Sequence, residues 1–274
     1  MSGPLATANP WNLVAGGYAE CAAPVTELFS NRAIELLCLA EESHVLDVAC
    51  GPGTTAGLLC QAGHRVEAVD FSAAMIGELE AKMKPGQPLA EANVRAQIMD
   101  GQDLRFADQS VDAALSMFGL MFFPDRARGF SELHRVLKPG GRACVSSWLP
   151  LSDVPAMQWM FGAVMAIMPA SPGQEPPAPS LEDPALFAAE MEQAGFRSVH
   201  VERCSQTIPM PDLTDFWDTM VKSSAPITLL RSEVGEEKWT ELNKEAFEHL
   251  RQTRPENLES FTMEAWLGLG EKAS

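Results

Sequence analysis

Basic residues are scarce in this sequence. Its 274 residues include 20 Lys and Arg against 37 Asp and Glu, which gives a formal net charge of −17, and the basic residues form no cluster. A chain this acidic repels the phosphate backbone of nucleic acids unless a local basic patch intervenes. We therefore expect no nucleic acid partner, and we interpret most of the carboxylates as solvated surface that aids solubility.

Cysteines at metal-binding spacing are missing as well. The six cysteines stand at positions 21, 38, 50, 60, 144 and 204. No two of them are separated by the roughly two to four residues typical of zinc or iron–sulfur ligands. We expect no metal site, and most of the thiols should be free and buried. Convergence of Cys21 and Cys50 on one reactive site is the alternative that the sequence leaves open.

Long apolar runs are also absent. Apolar residues make up 46% of the chain, which is enough for a buried sheet, but no run approaches the roughly 18 uninterrupted apolar residues of a membrane-spanning helix. The first ten residues lack a basic region followed by an apolar core, so they are not typical of a secretory signal. We expect a cytoplasmic protein without a membrane span. The sequence does not decide between a monomer and a homodimer.

The most informative feature that is present is a strand, a glycine turn and a helix in succession. Residues 44–49 have the length and β-branched content of a buried parallel strand. Gly51 and Gly53 end it, and glycine admits left-handed backbone angles and the close approach of a ligand. Residues 54–61 are typical of the following helix, whose first amides would face that ligand.

Asp70 completes this pattern. It ends a second strand about 20 residues after the turn, where a carboxylate accepts hydrogen bonds from both hydroxyls of a ribose. The segment therefore predicts a nucleoside cofactor. Residues 51–56 also match the Gly-x-Gly-x-x-Gly/Ala fingerprint of dinucleotide enzymes, so this pattern alone does not separate a nicotinamide or flavin from another nucleoside.

Further residues favour one kind of nucleoside. Asp47 stands four residues ahead of the first glycine, Cys50 directly precedes it, and three more motifs follow downstream. Together they resemble the class I S-adenosylmethionine-dependent methyltransferases, in the small-molecule branch related to the ubiquinone and menaquinone biosynthesis methyltransferases. The resemblance covers at least residues 11–204. Its motifs lie at 46–53, 70–75, 99–106 and 116–125, the last continued at 137–142.

The resemblance implies S-adenosylmethionine as methyl donor and S-adenosylhomocysteine as product. Asp47 would help to hold the ammonium group of the donor, and Asp70 would bind the ribose hydroxyls. Asp100 would accept from the adenine amino group, and the Gly101 amide would donate to a ring nitrogen. Relatives often carry a polar residue at Met117, so a side-chain hydrogen bond is lost there. The predicted cofactor residues are Tyr18, Asp47, Ala49, Gly51, Gly53, Thr54, Asp70, Phe71, Met75, Asp100, Gly101, Gln102, Met117 and Phe118.

The acceptor side is less well defined. Met121, Phe122 and Trp148 follow the fourth and fifth strands and should border an apolar acceptor pocket. Methyl transfer depends mainly on positioning and desolvation, because the sulfonium already activates the methyl group. A general base would help a phenol, enol or activated ring carbon to react. The candidate catalytic residues are His249 and Tyr18, the only tyrosine of the chain, whose hydroxyl would bond the cofactor carboxylate or the acceptor. The catalytic residues are otherwise unknown.

We expect an α/β fold with a Rossmann-like, doubly wound and mostly parallel seven-stranded sheet, whose last strand is antiparallel, plus a helical lid. Residues 1–43 would form an N-terminal helical cap, 44–150 the cofactor-binding core, and 151–274 the lid helices and the strands that complete the sheet. Helices are predicted over 11–39, 182–194 and 212–252, strands over 199–204 and 261–269, and an exposed proline-rich connection over 169–184.

Three functions stay open at this point. The first is a small-molecule methyltransferase, which all the motifs favour. The second is an NAD(P)-dependent oxidoreductase, which only the glycine spacing favours. The third is a non-catalytic module that binds the cofactor, which the lack of an obvious base allows.

Overall fold

One sheet organises the chain. The computed structural model describes residues 3–168, 181–256 and 258–274, and within them seven strands pair in the order β3-β2-β1-β4-β5-β7-β6. The first five strands are parallel, and β7 lies antiparallel between β5 and β6. This confirms the predicted sheet. The strands are β1 His44–Val48, β2 Arg65–Asp70, β3 Val94–Ile98, β4 Val111–Ser116, β5 Leu137–Trp148, β6 Arg197–Pro209 and β7 Ser260–Glu271.

Helices cover both faces of the sheet. Successive strand residues point to opposite faces, so Val45 packs in one layer with Phe29, whereas Leu46 packs in the other with Phe130 and Phe187. All five side chains are fully buried. The helices are α1 Ala8–Gly17, α2 Ala23–Leu37, α3 Thr54–Gln61, α4 Ala73–Lys82, α5 Arg126–Val136, α6 Pro155–Ile167, α7 Pro184–Gln193, α8 Leu213–Ser223 and α9 Ala225–Gln252.

The predicted elements agree with these bounds to within a few residues, with three differences of substance. The helical stretch predicted over 212–252 is broken between α8 and α9 and kinked within α9 at Gly235, whose φ is +78°. The N-terminal helical stretch is not continuous, because a π-helical turn over Tyr18–Ala22 separates α1 from α2. Strand β6 is more than twice as long as predicted, since its pairing with β7 continues to Pro209 and Ser260. Most of the predicted proline-rich connection, residues 169–180, lies outside the described residues.

The C-terminal segment is part of the same sheet. Strand β7 pairs with β5 from Arg142 opposite Glu271 to Trp148 opposite Ala265. The division of the chain at residues 43 and 150 stays a prediction. In the part of the chain that the structure describes, no helix is both long and apolar enough to cross a membrane.

Candidate functional site

A cavity of about 870 Å³ lies at the carboxyl ends of the parallel strands. Strands β1 and β4 are neighbours in the sheet although the chain visits β2 and β3 between them. Ligands of doubly wound folds bind at such a switch point. The structure brings every predicted cofactor residue except Gly53 to the wall of this cavity: Tyr18, Asp47, Ala49, Gly51, Thr54, Asp70, Phe71, Met75, Asp100, Gly101, Gln102, Met117 and Phe118.

The two predicted turn glycines have different roles. We call residues 49–54 the glycine loop. Gly51 has a φ of +53° and lines the cavity, and a Cβ there would meet no protein atom within 4 Å, so its left-handed backbone and not protein packing favours glycine. Gly53 has a φ of +79°, and a Cβ there would lie 2.4 Å from Cδ1 of Leu79. Gly53 therefore allows the loop to pack closely on α4. It does not line the cavity, contrary to its predicted position at the cofactor.

Asp70 is fixed by backbone amides at the end of β2. The amide of Gly51 donates to Oδ2 at 2.9 Å, and the amide of Ser72 donates to Oδ1 at 2.8 Å. Burial raises the pKa of this carboxyl, and the amides of Ser72, Gly51 and Phe71 oppose the rise. Each oxygen keeps a second lone pair. The carboxylate is thus oriented by the loop and can still accept hydrogen bonds from a diol in the cavity.

Asp47 is buried without a hydrogen-bond partner. Its exposed fraction is 1%, and neither carboxylate oxygen has a partner among the described residues. Burial raises its pKa to about 8 and the Asp70 charge adds to this, while the nearby Ala56 amide opposes it without reaching hydrogen-bond geometry. An unpaired carboxyl of this kind is costly. A cationic group bound in the cavity would offset the cost, so the site fits the ammonium end of the expected cofactor.

The π-helical turn brings Tyr18 to the cavity. The phenol is partly buried, and burial raises its pKa to about 12, with the Asp70 charge adding to the rise and Thr26 opposing it. Tyr18 is therefore protonated at neutral pH and can donate a hydrogen bond, but it is a poor general base. Helix α2 supplies Thr26 and Ser30 to the same wall, and Ser30 Oγ lies 2.9 Å from Thr55 Oγ1.

The loop after β3 is held by hydrogen bonds. Asp100 Oδ1 accepts from the amide of Gln102 at 2.8 Å and from its side chain at 3.0 Å. The Gln102 carbonyl oxygen Oε1 in turn accepts from the amide of Asp125 at the start of α5, at 2.9 Å. A Cβ on Gly101 would lie 2.5 Å from Cζ of Phe123, so the loop packs closely on that ring. This end of the cavity offers carboxylate, amide and aromatic groups suited to a purine base.

An aromatic wall closes the cavity beside β4 and β5. Phe118 has a φ of +56°, which is strained for a residue with a side chain. It is held by Ser146 Oγ, which accepts from its amide at 2.8 Å, and by stacking on Trp148 with ring centroids 3.9 Å apart. Phe29 contacts both rings edge-on. Trp148 therefore supports the wall from behind and does not line the cavity, contrary to its predicted position.

Only one of the three predicted acceptor residues reaches the cavity. Phe122 lines it, beside Trp11 at a centroid distance of 5.2 Å. Met121 instead packs in the α5 and α7 layer, where its sulfur is 3.9 Å from Ser147 Oγ. His249 also lies away from the cavity wall, with Nε2 facing Gly162 of α6. Within the described residues, no Lys, Arg or His side chain lines the cavity.

Several lining residues were not predicted. Cys50, Pro52 and Thr55 belong to the glycine motif, and Gly119 directly follows Phe118, so their sequence positions carried a signal. Met99, Phe123 and Pro124 lie within the motifs at 99–106 and 116–125, whereas the remaining four come from the N-terminal segment outside all the motifs. The residues added by the structure are Ala6, Trp11, Thr26, Ser30, Cys50, Pro52, Thr55, Met99, Gly119, Phe123 and Pro124.

Comparisons with known proteins show the family to which the chain belongs. The family model described as Methyltransferase domain matches residues 45–141. A demethylmenaquinone methyltransferase of Lactiplantibacillus plantarum is 32% identical over 60% of this chain and 75% of its own length. A ubiquinone/menaquinone biosynthesis C-methyltransferase of Rubrivivax gelatinosus is 35% identical over 43% of this chain, and this match spans less than half of the relative, 44%.

A solved structure shows the same fold. The YcgJ protein of Bacillus subtilis superposes with a TM-score of 0.60 over 89% of this chain and 98% of its own, at 18% sequence identity. Identity this low supports the architecture alone. The family-model match over residues 45–141 covers β1 to β4 and the beginning of β5.

Proposed function

We infer the reaction from one premise: this chain belongs to the class I S-adenosylmethionine-dependent methyltransferases and is a methyltransferase of small molecules. The comparisons give no support to the oxidoreductase or to the non-catalytic module. We make three proposals about this chain: how it holds its cofactor, which acceptor it uses and how its side chains assist the transfer.

We propose that the cavity holds S-adenosylmethionine across the ends of β1 to β4. Asp70 would receive the ribose hydroxyls, Asp47 the ammonium group, and Asp100 with Gly101 the adenine edge. Phe71 and Met75 would flank the adenine ring. The observation that carries this proposal is the pair of buried carboxylates at the strand ends, of which Asp47 has no partner of its own.

The side chains of this protein assist the reaction by orienting the reactants and excluding water. When bound, the cofactor supplies a methyl group already activated by a sulfonium. Phe118, fixed by Ser146 and Trp148, forms a rigid wall that excludes water. Tyr18 donates a hydrogen bond to the cofactor carboxylate or to the acceptor. No Lys or His side chain lines the cavity in the described part of the chain, and the three lining aspartates are assigned to the cofactor, so an acceptor that ionises readily or loses its proton to water would suit the site.

We propose a hydroquinone or other phenolic ring as the acceptor. Two relatives are named for methylation in the menaquinone or ubiquinone series, and Phe122 and Trp11 give the cavity an aromatic edge suited to a flat ring. A phenolic hydroxyl ionises more readily than an alcohol, which suits a cavity whose described lining includes no Lys or His side chain. The absence of a nucleic acid partner and a cytoplasmic location stay predictions from the charge and the N-terminal sequence.

Calorimetric titration tests the cofactor assignment. We expect the wild-type chain to bind S-adenosylhomocysteine and not NAD(P), and Asp70→Ala to weaken that binding by about 10- to 100-fold, because a charge-assisted hydrogen bond contributes roughly 1.5 to 3 kcal/mol. An exposed acid such as Asp108→Ala is the control. Preference for NAD(P), or an unchanged affinity of Asp70→Ala, would contradict the assignment. Incubation with labelled donor and a panel of hydroquinones and phenols, read by mass spectrometry, tests the acceptor class.

A further inference from the structure

The C-terminal half of helix α4 contacts the glycine loop through two residues that do not line the cavity. Lys82, in the last turn of α4, donates from Nζ to the carbonyl of Pro52 at 2.7 Å. Leu79, one turn earlier, packs against Gly53 so closely that a Cβ at that glycine would lie 2.4 Å from Cδ1. Neither Lys82 nor Leu79 lines the cavity. Both act on the loop and not on a ligand.

The peptide between Pro52 and Gly53 is fixed at both of its polar atoms. Its oxygen accepts from Lys82, and its N–H donates to the Cys50 carbonyl at 3.0 Å. Because a peptide unit is planar, these two bonds set its orientation. Helix α3 begins at the next residue, Thr54. The direction of the first turn of α3 therefore depends on how this peptide is held.

The first turn of α3 faces the cavity. Amides in the first turn of a helix have no partner in their own helix and favour negative charge. Thr54 and Thr55 line the cavity, whereas no Lys, Arg or His side chain does so in the described part of the chain. A carboxylate bound at this end would be received by backbone amides and hydroxyls, and its affinity would depend on their direction.

Burial of the Lys82 ammonium group is unfavourable. It is half-buried, and burial lowers the pKa of its ammonium, while the charges of Glu78, Cys50 and Glu27 oppose that shift. A lysine on a surface helix ordinarily extends into water. The bond to a backbone carbonyl gives this one a specific orientation.

We propose that Lys82 is a positioning residue, which fixes the Pro52–Gly53 peptide so that the first amides of α3 point to the amino-acid end of the cofactor. The inference rests on the proposed function, because it assumes that the cavity holds S-adenosylmethionine or its product. It assigns to Lys82 no contact with the cofactor itself.

Two ligands separate this role from a general structural one. S-adenosylhomocysteine carries the amino-acid group, whereas 5′-methylthioadenosine has the same adenine, ribose and thioether without it. We expect Lys82→Met and the second neutral variant Lys82→Gln to bind S-adenosylhomocysteine about tenfold more weakly, with affinity for 5′-methylthioadenosine changed by less than about twofold. Lys82→Arg keeps a donor and should restore most of the loss. Lys84→Met, at an exposed lysine two residues further on, is the matched control.

Hydrogen exchange gives a second measurement on the same variants. The amides of residues 53–56 should exchange faster in Lys82→Met and Lys82→Gln than in Lys82→Arg and the wild-type chain. Equal losses for both ligands, an unchanged affinity for S-adenosylhomocysteine, or no rescue by arginine would overturn the inference. If the wild-type chain bound neither ligand, the proposed function would fail first and this inference with it.

Discussion

Asp47 is a buried carboxyl whose burial is unfavourable unless a cationic group pairs with it. Its carboxyl is 1% exposed and has no hydrogen-bond partner among the described residues. In the free protein it is largely protonated at neutral pH, because its pKa is raised to about 8. A cationic ligand favours the ionised form, since an opposite charge lowers the pKa of a carboxyl. Binding and ionisation of Asp47 are therefore linked.

This linkage predicts how cofactor affinity depends on pH. Binding of an ammonium group should release the Asp47 proton below pH 8, so affinity for S-adenosylhomocysteine should rise by up to about tenfold per pH unit between pH 6 and pH 8 and level off above. Calorimetry in buffers of different ionisation enthalpy measures the released proton. Asp47→Asn should bind more weakly and lose the slope. A flat wild-type profile would show that Asp47 does not face the ammonium group.

At the scale of elements, the contact between α1 and α8 couples the N-terminal helix to the lid. Helix α1 passes so close to the end of α8 that a Cβ on Gly17 would lie 2.0 Å from the carbonyl oxygen of Lys222. The π-helical turn starts at the next residue and carries Tyr18 to the cavity. Lys222 also pairs with Glu20 of that turn at 3.8 Å. A change in this contact should reach the cofactor site.

Neighbouring glycines provide a matched test of that contact. Gly17→Ala should destabilise the protein by about 1 to 3 kcal/mol, because the added methyl meets backbone, and should weaken binding of S-adenosylhomocysteine through Tyr18. Gly16→Ala lies in the same helix, and its Cβ would meet nothing nearer than Glu78 Oε1 at 3.6 Å. It should be neutral, or stabilising by up to roughly 1 kcal/mol. Urea unfolding measures both, and equal effects would argue against a tight α1–α8 contact.

At the scale of the whole molecule, the sheet joins segments that are distant in sequence. Strand β7 pairs with β5 on one side and β6 on the other, so the C-terminal residues complete the sheet that β1 begins. The buried cluster on the lid side includes Phe29 from α2, Leu59 from α3 and Trp239 from α9. A continuous core of this kind favours cooperative unfolding.

Thermal unfolding in the presence of product tests this view. We expect one transition, shifted upward by about 5 °C or more at S-adenosylhomocysteine concentrations near 100 times Kd, since binding at that level stabilises by about 2.7 kcal/mol. Calorimetry with and without the ligand gives the comparison, and 5′-methylthioadenosine should give a smaller shift at equal concentration. Two transitions, only one of which moves, would mean that residues 151–274 unfold separately from the core.

Local sequence determined the family, the sheet and the motif residues that meet at the cavity. The strand, the glycine turn and helix α3 follow one another directly, and Asp70 lies at a fixed spacing, so short-range backbone geometry alone predicts that they meet. The Asp100 and Phe118 motifs are predicted by the resemblance to the methyltransferase family, and the structure places both at the edge where the parallel strands end. No packing detail was needed for these predictions.

Tertiary packing decided the rest. Trp11, Thr26 and Ser30 reach the cavity because α1 and α2 fold over it, and nothing in their own segments marks them as lining residues. Trp148 stacks on Phe118 outside the cavity, because the direction of a side chain depends on which partner fills the neighbouring space. Gly53 is required by the close approach of Leu79, which belongs to another helix. The spacing of residues in the sequence determines the path of the backbone over a few residues. The contacts of a side chain between distant segments depend on how the helices pack, and only the folded structure contains that information.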